Sequence, residues 1–158
     1  MLTPEVGTIF TTNAGAEVET QALACFFEMA KSEADRQQRV SQYEYLGEGS
    51  RGRVVVSEDN PELCVKTVGS WTGRYPHRAG HPVRPRNLVV ELYFMDAFKE
   101  FIEERDAGFF VPQPLLAQRT VRDCYSMLQE RLPKDATTLK GLSVKDRPLF
   151  QATARRIN

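Results

Sequence analysis

Between Leu46 and Gly69 the chain reads LGEGSRGRVVVSEDNPELCVKTVG, and this stretch limits the possible folds more than any other. Gly47, Gly49 and Gly52 fall close together, a valine-rich run follows them, and a second such run encloses Lys66. Runs of β-branched residues suit strands, and glycines permit a tight connection between antiparallel neighbours. In a dinucleotide-binding fold a glycine repeat of this spacing leads from a strand into a helix. Here a strand-like segment follows instead, which argues against that fold. Two readings of Lys66 stay open: it holds the same polyphosphate as the glycine loop, or it is a hairpin lysine whose stem reaches past an edge into water.

The 158 residues suffice for one domain with a real core, or a small domain with appended helices. Twenty-one basic residues balance twenty-one acidic ones, so no global field recruits nucleic acid or an anionic membrane. Cys25, Cys64 and Cys124 lack ligand spacing and read as small buried groups in a reducing compartment. No long apolar run and no signal-peptide pattern occurs, so a cytoplasmic protein without membrane contact is expected.

The first dozen residues carry no period and read as a mobile arm. From Ala16 to about Gln38, Val18, Ala22, Phe26, Met29 and Ala30 recur at helical spacing, widened by Leu23 and Phe27. That amphipathic helix is expected to cover the back of a sheet. Tyr43–Leu46 and Arg53–Ser57 flank the glycine loop as a hairpin, Glu58 to Pro61 form a turn, and Leu63–Val68 is a third strand. The basic segment 70–87, with both histidines, reads as an extended insertion, either a solvated loop or a grip for a phosphorylated or nucleic-acid partner on whose bases Trp71 and Tyr75 stack. Asn87 caps a helix of about five turns rich in phenylalanine, ending near Gly108. Phe109–Leu116 and Cys124–Arg131 are the remaining strands, and helices are expected again after Pro133.

With these segments in place, the chain resembles the small lobe of a eukaryotic-like protein kinase. GEGSRGRV carries the family's glycine loop at all three glycines and at Val54, and LCVK stands for Val-Ala-Ile-Lys, with Cys64 and Lys66 in the alanine and lysine places. The physical logic holds beside the name. Glycines let backbone N–H groups approach phosphate, and an enclosed lysine needs a carboxylate when nucleotide is absent. Glu91, set among large apolar residues in the helix after the insertion, is the candidate, with Asp96 as the fallback. The competing reading leaves Lys66 and Glu91 as unrelated surface charges.

The resemblance implies an α+β fold: a five-stranded antiparallel sheet with one αC-like helix, the extra N-terminal amphipathic helix and C-terminal helices. It divides the chain into an arm and helix (1–40), the kinase-like small lobe (41–133) and a linker that starts a large-lobe-like helix (134–158). YSMLQERLP resembles the fifth strand and hinge, with Gln129 in the gatekeeping place and Glu130 and Leu132 offering backbone C=O and N–H to an adenine edge. Leu46, Val54 and Cys64 would sandwich the ring, while Gly47, Gly49, Ser50, Gly52 and Lys66 hold phosphates and Glu91 orients Lys66. The implied ligand is ATP, with Mg2+ only where a large lobe is supplied, because the family's His-Arg-Asp and Asp-Phe-Gly stretches do not occur. The expected function is therefore an ATP-binding lobe of a Ser/Thr-type phosphotransferase, catalytically incomplete by itself. Its apolar underside would be covered by a large lobe or another protein partner. A pseudokinase-like interaction module and a fragment of a small-molecule kinase, such as the aminoglycoside and choline phosphotransferases, are the alternatives.

Overall fold

The computed structural model describes residues 4–35, 43–48, 52–69, 87–105, 110–121 and 124–133. The basic insertion and the helices expected after Pro133 lie outside the described residues. Within them the fold is α+β, with six antiparallel strands and three helices. In chain order these are β1 (Ile9–Thr11), α1 (Asn13–Ala16), α2 (Thr20–Ala34), β2 (Glu44–Glu48), β3 (Gly52–Val56), β4 (Leu63–Gly69), α3 (Leu88–Glu104), β5 (Pro114–Val121) and β6 (Cys124–Glu130). The strands lie in the order β1-β5-β6-β4-β3-β2.

The sixth strand corrects the expected count of five, and it comes from the segment read as a mobile arm. Ile9, Phe10 and Thr11 pair with Gln118, Ala117 and Leu116 of β5. Three residues are too few to display a period, so β1 owes its form to the ladder that β5 offers. Thr12 then fastens the turn into α1: its hydroxyl donates to Pro114 O at 2.8 Å and accepts from Gly15 N at 3.1 Å. Gly15 lies so close to β5 that a Cβ there would stand 1.8 Å from Leu115 O.

The single helix expected over Ala16–Gln38 starts later, as α2 at Thr20, while α1 is a separate short turn before it and Val18 lies in the connection. Phe26, Met29, Ala30, Glu33 and Ala34 of α2 are buried, a stripe at three- and four-residue spacing. Phe27 falls outside that stripe and is exposed. Strand alternation sorts the sheet into two faces. Val55, Val65, Leu116 and Leu128 form a core with Phe26 and Met29 of α2. Val68, Ala117, Tyr125 and Met127 form another with Leu88, Val89 and Leu92 of α3. The sheet is thus sandwiched between α2 and α3.

β5 begins at Pro114, later than the Phe109 start that sequence suggests. Proline lacks the ladder N–H and is tolerated as the first residue of a strand, so pairing starts there. At the β3–β4 turn, Asn60 N donates to Ser57 O at 3.2 Å and Asp59 N to Ser57 Oγ at 3.3 Å, in keeping with its residue types. No helix among the described residues is long and apolar enough to cross a membrane.

Candidate functional site

Lys66 lies in β4, between β3 and β6, directly opposite Val54 on one side and Met127 on the other. Opposite residues share a face, so its side chain leaves the sheet toward α3. There its Nζ forms an ion pair with Glu91 Oε1. Both side chains are mostly enclosed, 22% and 17% exposed, so neither is a free surface charge. Glu91 stands in the first turn of α3, where its charge also favours the helix N-terminus. The Asn87 side chain accepts from Val89 N at 3.0 Å and fixes that turn, while Leu88 and Leu92 anchor it to the sheet. Asp96, the fallback partner, is instead held by Gln113 Nε2 at 2.9 Å.

The glycine hairpin lies on the same side of β4. Gly47 pairs with Val54 across a bulge, because Tyr45 pairs with Val55 and Leu46 is the additional residue. Such bulges re-aim side chains. A Cβ on Gly52 would stand 3.0 Å from Val68 Cγ2 and 3.9 Å from Lys66 Cε, so a glycine there keeps the hairpin close to the lysine. A Cβ on Gly47 would meet nothing within 4 Å. Gly49 and Ser50, the tip of the loop, lie outside the described residues.

Beside the lysine, Leu46, Gly47, Val54, Cys64, Gln129, Arg131 and Leu132 enclose a cavity of ≈ 310 Å³. That volume is at the lower end of small-ligand sites, and the lining is mostly apolar with a few polar groups, as such sites require. Gln129 pairs with Cys64 in the ladder and therefore faces the same side. Burial pushes the Cys64 thiol up to about 11, against the opposing pull of the Arg131 charge and a hydrogen bond from Gln129. Cys64 is thus a neutral lining group at ordinary pH, and its Sγ donates weakly to Glu130 O at 3.7 Å.

The segment after β6 is tied down from both sides. Glu130 N donates to Gln113 O at 2.9 Å, and Glu130 Oε2 accepts from Gln113 N at 2.8 Å. Arg131 N donates to Glu62 O at 2.8 Å, while its guanidinium reaches Glu44 at 3.5 Å. Leu132 is half exposed at the cavity mouth. The arrangement offers an apolar slot for a flat ring beside a backbone edge, next to a lysine able to neutralise an anion.

Of the residues singled out from sequence, Leu46, Gly47, Val54, Cys64, Gln129 and Leu132 line the cavity, Glu130 stands between the lining residues Gln129 and Arg131, Gly52, Lys66 and Glu91 lie beside it, and Asp96 does not join them. Arg131 and Gln113 were missed. Arg131 sits between two residues read for their backbone groups, and nothing local marks Gln113 as the brace of Glu130. Among the described residues no cluster of His, Cys, Asp or Glu could hold a metal ion. Comparison with protein-family models, with curated proteins and with solved structures returns no significant match to this chain.

Proposed function

We propose that this chain binds ATP as the small lobe of a protein kinase-like phosphotransferase. The observation that carries the reading is the joint position of the cavity and the Lys66–Glu91 pair on the α3 face of one sheet, beside the glycine hairpin. Adenine enters the slot between Leu46, Val54 and Cys64 and meets Glu130 C=O and Leu132 N–H. The phosphates run toward the Gly47–Gly52 backbone and Lys66. Glu91 holds the lysine in place and stabilises its charge when the site is empty of anions. Phosphoryl transfer also needs metal-binding and acceptor-orienting groups, which a large lobe in a longer chain or a partner would supply, and Mg2+ enters with them.

A thermal-shift titration of the full chain with ATP tests the reading. A melting temperature that rises at millimolar ATP in the wild type and not in Lys66→Met supports it. No shift in either would favour the second reading, a non-catalytic interaction module. That reading draws on the outer face of α3, where Phe94 is 69% exposed and stacks on Phe98 with ring centroids 6.2 Å apart. Exposed stacked aromatics of this kind suit a protein partner.

A further inference from the structure

The face of the glycine hairpin turned away from the cavity carries a feature that nucleotide binding leaves unexplained. Arg53 follows Gly52 and precedes Val54, so alternation turns it toward α2. Its Nε lies 3.3 Å from Glu33 Oε2 in the last turn of α2, and the two side chains are 9% and 1% exposed. The guanidinium also lies over the Tyr45 ring of β2, 4.8 Å from its centroid. One arginine therefore joins both strands of the hairpin to α2.

Its ladder neighbours continue a row of polar residues across the sheet. Thr67 is opposite Arg53, Ser126 is opposite Thr67, and Gln118 is opposite Ser126. All four are buried. Apolar residues would give α2 an equally stable seat, since a buried ion pair returns little net stability over a well-packed apolar pair. What the pair adds is a buried charge contact between α2 and the residue next to Gly52. The hairpin has need of such a tie. β2 is an edge strand whose ladder partner among the described residues is β3, and its half-exposed Glu44 reaches Arg131.

We propose that α2 clamps the glycine hairpin through Glu33 and Arg53 and thereby sets the position of the phosphate-holding backbone on the opposite face. Glu33 and Arg53 are positioning residues, acting through Gly52 and Val54, and their role in nucleotide binding rests on the ATP reading above. A movement of α2 would be transmitted to the loop without any contact between α2 and the nucleotide.

Hydrogen exchange and ligand titration on the full chain test this together. Glu33→Gln is compared with Phe26→Leu, which loosens α2 in the core without touching Arg53. Glu33→Gln is expected to speed exchange of the amides in 44–56 about tenfold while those in 124–130 keep their wild-type rate. Phe26→Leu is expected to affect both segments alike. If Glu33→Gln speeds both segments equally, or neither, the clamp is overturned; should that variant not fold, Glu33→Asp carries the same comparison. In the titration, Glu33→Gln is expected to weaken ATP about tenfold and adenosine, which meets Leu46 and Val54 but does not reach the glycine backbone, by clearly less. Equal loss of both ligands would overturn the positioning role. A wild type that binds neither ends the ATP reading and leaves the exchange comparison to decide the clamp.

Discussion

Lys66 and Glu91 form a pair whose members each depend on the other. Replacing Lys66 by methionine keeps the stem and deletes the charge, which leaves a mostly enclosed carboxylate without its cation. The expected cost is about 1–3 kcal/mol in urea denaturation, by the general penalty for removing one member of a mostly enclosed charged pair. Cys64 gives a pH signature at the same scale. Its thiol has an ordinary value of 9.0 and is raised to about 11 in the fold, so the folded state holds the proton more tightly than the unfolded state. The stability this contributes is complete below pH 9 and is lost as pH rises toward 11. Urea midpoints measured across that window should fall less steeply in Cys64→Ala than in the wild type. Cys64 and the buried Cys124, raised to about 12, should also resist alkylation of the native chain at pH 8, where roughly a thousandth or less of either thiol is ionised. Peptide mass spectrometry reads this directly, and rapid labelling of Cys64 would show the cavity lining to be more open than described.

Among the elements, α3 positions the lysine and α1 fastens the N-terminal edge. Asn87→Ala removes the cap beside Glu91 and should cost about 1 kcal/mol. Gly15→Ala should cost more, because the Cβ would meet backbone and α1 must lift from β5. Exchange of the β1 amides, faster than in the wild type while β4 stays protected, is the expected mark of that lift. These elements differ in how plainly the sequence announces them. Asn87 gives the start of α3 to the residue, and the valine runs give β3 and β4 with the aromatic Tyr43–Leu46 stretch beside the glycines giving β2, because cap chemistry and strand-forming side chains are local. β1 was invisible beforehand because three residues have no period and its partner is more than a hundred positions away. Phe27 was placed in the core because it widened a plausible stripe, whereas the direction of α2 is set by Phe26, Met29 and Glu33 against the sheet.

For the molecule as a whole, the sheet separates two jobs. One face, with α3, carries the lysine pair and the cavity, and the other, with α2, carries the Glu33–Arg53 tie. The first set of residues was legible in sequence, since glycine spacing, an enclosed lysine and a carboxylate in an apolar helix each report local chemistry. The second was not, because Arg53 reads as any hairpin charge until α2 is placed over it. The same holds for Gln113, whose bond to Glu130 depends on β5 and β6 being paired. The most direct test of the central claim, a nucleotide held by the hairpin backbone beside Lys66, is an amide chemical-shift titration of the full chain with ATP. Concerted, saturable shifts at Gly47, Gly52, Val54, Cys64 and Leu132 are predicted, weakened in Lys66→Met. Amides that stay still at millimolar ATP, or shifts confined to the outer face of α3, would contradict it.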